Sequence, residues 1–113
     1  MEIEMKIVVH ANKLASKEKL TKQVVDETKR TVEERLERTL KRFESEIEMV
    51  EIHLEDETLA SQKFDGLAKA QVHRRFGDMI SVTCRGDSVA ELIANATTTL
   101  QHAMERKLDK KRN

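Results

Sequence analysis

Near the start of the chain Ile3, Met5, Ile7 and Val9 alternate with Glu2, Glu4, Lys6 and Val8. That two-residue period predicts a strand buried on one face. The period then lengthens. From Ser16 or Lys17 to Arg42 or Phe43, the residues Val25, Thr28, Val32, Leu36, Thr39, Leu40 and Phe43 recur at helical spacing. Neither Gly nor Pro interrupts this stretch, and its Glu, Lys, Arg and Leu content favours a helix. Alternation returns in three further segments, with Val50, Ile52 and Leu54, then Ala68, Ala70 and Val72, then Ile80, Val82 and Cys84 on the inward faces. Residues 55–67, with Gly66 among them, form a connection longer than a tight hairpin. Gly77 and Asp78 supply turn chemistry between the third and fourth strands. Matching the inward faces there requires an even pairing sum, which predicts a three-residue turn. Gly86, Asp87 and Ser88 stop the fourth strand, and Ser88-x-x-Glu91 is a capping box that opens a last helix. Val89, Ile93, Ala96, Leu100 and Ala103 make the buried stripe of that helix.

The order is β-α-β-β-β-α, an α+β fold. A four-stranded mixed sheet with both helices on one face buries every apolar stripe just named. The first strand–helix–strand unit is expected to be a right-handed crossover, which makes its two strands parallel and the remaining pairs antiparallel. At 113 residues the chain supports one domain with one modest core. The lone cysteine, Cys84, cannot form an internal disulfide, and its inward position predicts a small buried hydrophobe in a reducing compartment. Ile7-Val8-Val9 is far too short an apolar run for a signal-peptide core or a membrane span, so a cytoplasmic protein with no membrane partner is expected.

Charge adds a direction to this frame. Lys+Arg and Asp+Glu balance at 21 each, so net charge names no partner. Their distribution is uneven: residues 44–57 carry seven acids and no Lys or Arg, whereas residues 106–112 are rich in bases. Segregated charge can steer one face toward a polyanion. On the long helix Thr31, Arg35, Arg38 and Arg42 are spaced four, three and four, which stacks them into one stripe suited to phosphates along a nucleic-acid backbone. Arg106, Lys107, Lys110, Lys111 and Arg112 form a second basic group beyond the apolar stripe of the last helix. Taken singly, each group is also what a merely solvated helix surface looks like. Lys69, His73, Arg75 and Arg85 add outward positive charge to the sheet, with no aromatic residue among them, which argues against a base-stacking sheet.

Catalytic chemistry is sparse. His10, His53, His73 and His102 are the candidates for metal or acid–base work. His53 and His73 fall on neighbouring antiparallel strands but several residues out of register, too far apart to share a zinc ion, and neither CxxC nor HExxH is present. The three glycines are scattered turn residues rather than a phosphate loop. No enzyme activity, cofactor, metal or small-molecule substrate is expected.

The element order, VEIHLEDE from Val50 to Glu57, the SVT of the fourth strand and the closing LDKKRN resemble the ribosome hibernation-promoting factors, a family that includes the ribosome-associated inhibitor protein Y. The likeness spans essentially the whole chain, with the recognisable residues in its second half. It implies a fold similar to double-stranded RNA-binding domains. It also implies a translation inhibitor that binds the small ribosomal subunit and its rRNA in the channel of messenger and transfer RNA, silencing ribosomes in starved or stationary cells. By that likeness Arg35, Arg38, Lys41 and Arg42 on the first helix, and Arg106, Lys107 and Lys110 on the second, face rRNA. Thr99 and His102 stand where the family often carries bases. A single domain over residues 1–113, without the dimerisation domain of long-form members and monomeric off the ribosome, is the corresponding expectation. The competing expectation is a small protein-interaction module that uses the acidic 44–57 surface or a sheet edge to bind a partner or itself.

Overall fold

The computed structural model describes residues 5–13, 22–56 and 65–112. Its elements are β1 (Lys6–Lys13), α1 (Lys22–Leu40), a 3-10 helix (Lys41–Glu46), β2 (Ile47–Asp56), β3 (Gly66–Arg74), β4 (Ile80–Gly86) and α2 (Val89–Arg112). The expected helical segment before Lys22, the strand residue Ile3 and most of the connection between β2 and β3 lie outside the described residues.

The sheet runs β1-β2-β3-β4. β1 is parallel to β2, and the other two pairs are antiparallel. Register aligns the inward rows as expected: Ile7 pairs with Val50, Val9 with Ile52, Val72 with Val50, and Ala70 with both Ile52 and Val82. Both helices pack against the inner face of the sheet and touch each other. Val32, Leu36 and Leu40 from α1 and Leu92, Leu100 and Met104 from α2 are fully buried over Val50, Ile52, Leu54 and Val72. Burying apolar area of this kind is the main favourable term in folding.

Several details depart from the strict periodicities. The α-helical hydrogen bonding of α1 ends at Leu40, and the tighter 3-10 turn that follows buries Phe43. Ile47 and Val50 both point inward although three residues apart, because a register irregularity between Ile47 and Met49 inserts an extra residue into β2. The β3–β4 pairing does have an even sum, with Val72 opposite Ile80, but the connection is residues 75–79 rather than three residues. Gly77 supplies its positive φ of 108°. Val82 and Cys84, expected to be buried, are only partly so. They lie on the edge strand, and a groove between β4 and the later turns of α2 leaves Val82 open to one side.

The start of α2 forms as the capping residues predict. The Ser88 hydroxyl accepts a hydrogen bond from the Glu91 N–H at 3.1 Å, and the Ser88 carbonyl accepts from Leu92 at 2.9 Å. Gly86 permits the close approach: a Cβ built there would stand 2.6 Å from the Leu92 nitrogen. Asn95 then ties the helix to the sheet by donating to the Arg85 carbonyl at 2.8 Å.

Candidate nucleic-acid interface

The buried row Val32, Leu36 and Leu40 fixes the rotation of α1, and Arg35 and Arg38 are consequently held outward in solvent. Lys41 and Arg42 are also exposed, but they belong to the 3-10 turn. The spacing that begins at Thr31 therefore does not continue to Arg42 as one α-helical stripe. The Thr31 hydroxyl is engaged within its own helix, donating to the Glu27 carbonyl at 2.9 Å.

Arg42 has a role that spacing alone does not reveal. Its guanidinium bonds the Glu105 carboxylate of α2 and lies 4.6 Å over the Phe43 ring. Glu105 Oε1 also accepts from the Gln101 amide at 3.3 Å. The end of α1 is thereby latched to α2 one residue before Arg106. Arg106 and Lys107 are exposed, and with Met79, Ile80, Ser81, Val82 and Ala103 they line a groove of about 310 Å³ beside the start of β4. Thr99, His102, Glu105 and Arg106 line a neighbouring cavity of about 360 Å³. Lys110 lies in α2, but its side chain, like those of Lys111 and Arg112, is outside the described residues. Phe76 and Met79, in the turn at one end of the groove, are 74 % and 48 % exposed. Alternation along the third strand leaves open whether Arg74 or Phe76 ends its inward row; the strand ends at Arg74, and Phe76 and Met79 fall in the turn rather than on a face.

The opposite, open face of the sheet brings together three residues that the sequence left apart. In the parallel register of β1 and β2, His10 lies directly beside His53, and the rings stack at 4.3 Å between centroids and 8° between planes. The His10 Nε2–H donates to Glu51 Oε2 at 3.0 Å, and His53 Nε2 lies 3.8 Å from the same oxygen. His73 is opposite Met49 and His53 opposite Lys69, so those two histidines are separated as expected. Hairpin arithmetic could test the antiparallel neighbours. The β1–β2 register, set across the whole helical crossover, was not legible that way.

Cys84 faces the core side of β4, and its partial burial pushes the thiol pKa above the ordinary value. Among the described residues no helix is long and apolar enough to cross a membrane.

No protein-family model matches this chain, and no curated protein matches it in sequence.

Proposed function

We propose that this protein is a ribosome-associated translation inhibitor of the hibernation-factor type, with the outer surface of its two helices docked on rRNA of the small subunit. The observation that carries this reading is the latch between Arg42 and Glu105. It bridges the surface that carries the exposed bases Arg35 and Arg38 of α1 and Lys41 of the 3-10 turn to the surface that carries Arg106 and Lys107 on α2. The shared core beneath holds the two helices in place. Arginines and lysines fixed on helices suit phosphate contacts, which position a protein on nucleic acid without reading base sequence. Among the described residues the open sheet face carries no Phe, Tyr or Trp for base stacking, which favours recognition of backbone and shape. Inhibition then follows from occlusion: a domain seated in the messenger and transfer RNA channel excludes both, with no chemistry performed. The element order and the resemblance of VEIHLEDE and the closing LDKKRN to that family support the same reading, and the sheet-and-two-helix architecture is compatible with it.

The test is co-sedimentation with purified ribosomes and inhibition of translation in vitro. Arg35→Glu combined with Arg38→Glu is expected to abolish both while leaving the far-UV helical signal unchanged. Undiminished binding by that variant would sink the reading.

A second reading has its own observation. β4 is an edge strand, and exposed Phe76 and Met79 stand at its entry beside the groove. A protein partner could add a strand there or seat an apolar anchor. Phe76→Ala with Met79→Ala would cripple that module and leave phosphate-driven ribosome binding nearly intact.

A further inference from the structure

We propose that His10, Glu51 and His53 form a surface binding site for a divalent transition-metal ion, with zinc as the favoured occupant, clamping β1 to β2. The site is on the open face of the sheet and is independent of the ribosome reading. Its residue types are the two imidazoles and one carboxylate that borderline metal ions prefer, whereas magnesium and calcium select all-oxygen sets. The three ligand atoms all lie within 4.8 Å of one another, and among the described residues this is the one such group.

The separations of the carboxylate oxygen from the two imidazole nitrogens are near those found around a bound ion. Zn–N and Zn–O bonds of about 2.0–2.2 Å at tetrahedral angles put ligand atoms about 3.3–3.5 Å apart. The two Nε2-to-carboxylate distances, 3.0 and 3.8 Å, bracket that separation. Coordination replaces the His10–Glu51 hydrogen bond and requires the stacked rings to turn apart about their side-chain torsions, because the in-plane nitrogen lone pairs of near-parallel rings do not converge on one point.

The backbone preorganises the site. His10 and His53 are paired residues of adjacent parallel strands, and Glu51, two residues before His53, shares their face. All three side chains keep solvent access, with 46 %, 27 % and 45 % exposure for His10, Glu51 and His53, so an ion can enter and at least one coordination position stays open to water. Lys69, opposite His53 on β3, is a neighbouring like charge in register. It weakens the site without blocking it. Because β1 is an edge strand, an ion shared between β1 and β2 fastens the strand with the fewest neighbours.

The experiment is calorimetric titration of the chelator-treated full chain with Zn²⁺, paired with thermal unfolding and with Co²⁺ absorption. The wild-type chain is expected to take up one equivalent, to melt at a higher temperature with Zn²⁺, and to give visible Co²⁺ bands of nitrogen and oxygen ligation. His10→Ala, His53→Ala and Glu51→Gln should each weaken binding by about 10–100-fold or more, since even the outer partners of a metal ligand are worth that much. Glu51→Gln preserves side-chain shape, so its loss cannot be assigned to misfolding. His102→Ala, on α2, should bind as the wild type does. Equal zinc affinity in wild type and the His10→Ala/His53→Ala double variant would overturn the proposal. A thiolate-to-Co²⁺ charge-transfer band would also overturn it, because Cys84 lies on the other face of the sheet.

Discussion

Gly86 shows how much one residue can decide. Its missing Cβ leaves room for the first turn of α2, and the nearest atoms that a methyl would meet are backbone atoms of Leu92 at 2.6 and 2.7 Å. Backbone cannot swing aside as a side chain can. Gly86→Ala should therefore cost about 1–3 kcal/mol, the usual range for overpacking, whereas Ser88→Ala, which removes only the hydroxyl cap, should cost ~1 kcal/mol. Urea denaturation of the two variants measures both, and a neutral Gly86→Ala would mean that the strand end shifts freely. Sequence alone marked Gly86 as a strand stop and did not disclose the close approach, which depends on where α2 lands. Cys84 yields a prediction with a definite sign. Burial raises its thiol pKa in the folded chain above the ordinary value of 9.0, so the folded state holds that proton more tightly than the unfolded state does. The associated stability is fully present below pH 9 and declines as pH rises past the unfolded pKa. Alkylation at neutral pH should be slower in the folded chain than after denaturation, as followed by mass spectrometry. Equal rates would mean an open thiol.

Elements were legible wherever one period governs a whole segment. The fully buried row Val32, Leu36 and Leu40 is the predicted face of α1, and Ala68, Ala70 and Val72 are the predicted face of β3. What could not be read is where a period is broken to fit tertiary neighbours. The extra residue that turns both Ile47 and Val50 inward is one case, and the change from α to 3-10 after Leu40 is another. Leu92 and Met104 were missed on α2 because that helix packs a wider stripe than its most regular apolar positions suggest. The same limit applies to Arg42, whose partner Glu105 is 63 residues away and is found only by packing the helices together. Both side chains of this latch are partly exposed, at 58 % and 36 %. A double-mutant cycle of Arg42→Ala and Glu105→Ala should thus give a coupling of only about 0.2–1 kcal/mol. By contrast Leu36→Ala, which opens a cavity under the same helix, should cost about 2–5 kcal/mol. A latch coupling as large as the cavity cost would mean that the two helices are held by charge rather than by the core.

For the whole molecule, the sheet order and two-layer packing follow from the apolar stripes, since few arrangements bury all of them at once. The distribution of charge over the finished surface is a separate property, visible only once the faces are assigned. The bases Arg35, Arg38, Lys41, Arg106 and Lys107 are exposed on the helical layer, whereas Glu51 and the two stacked histidines lie on the open sheet. A chain of zero net charge has no long-range attraction for a polyanion as a whole, so any strong binding must come from one face. If all five bases neutralise phosphates, the logarithm of ribosome affinity should fall against the logarithm of salt with a slope of roughly −3.5 to −4.5, at about 0.7–0.9 per phosphate. Arg35→Glu with Arg38→Glu should flatten that slope by at least about 1.4–1.8 on the same scale, besides lowering affinity. Lys6→Glu with Lys69→Glu makes an identical change of charge on the open sheet face and is the control that separates a docked surface from diffuse attraction. Its slope should match the wild type. Parallel loss of slope in both variants would mean that only overall charge matters. A shallow slope in the wild type itself would transfer the assignment to the edge strand and its exposed Phe76, where an apolar contact responds weakly to salt.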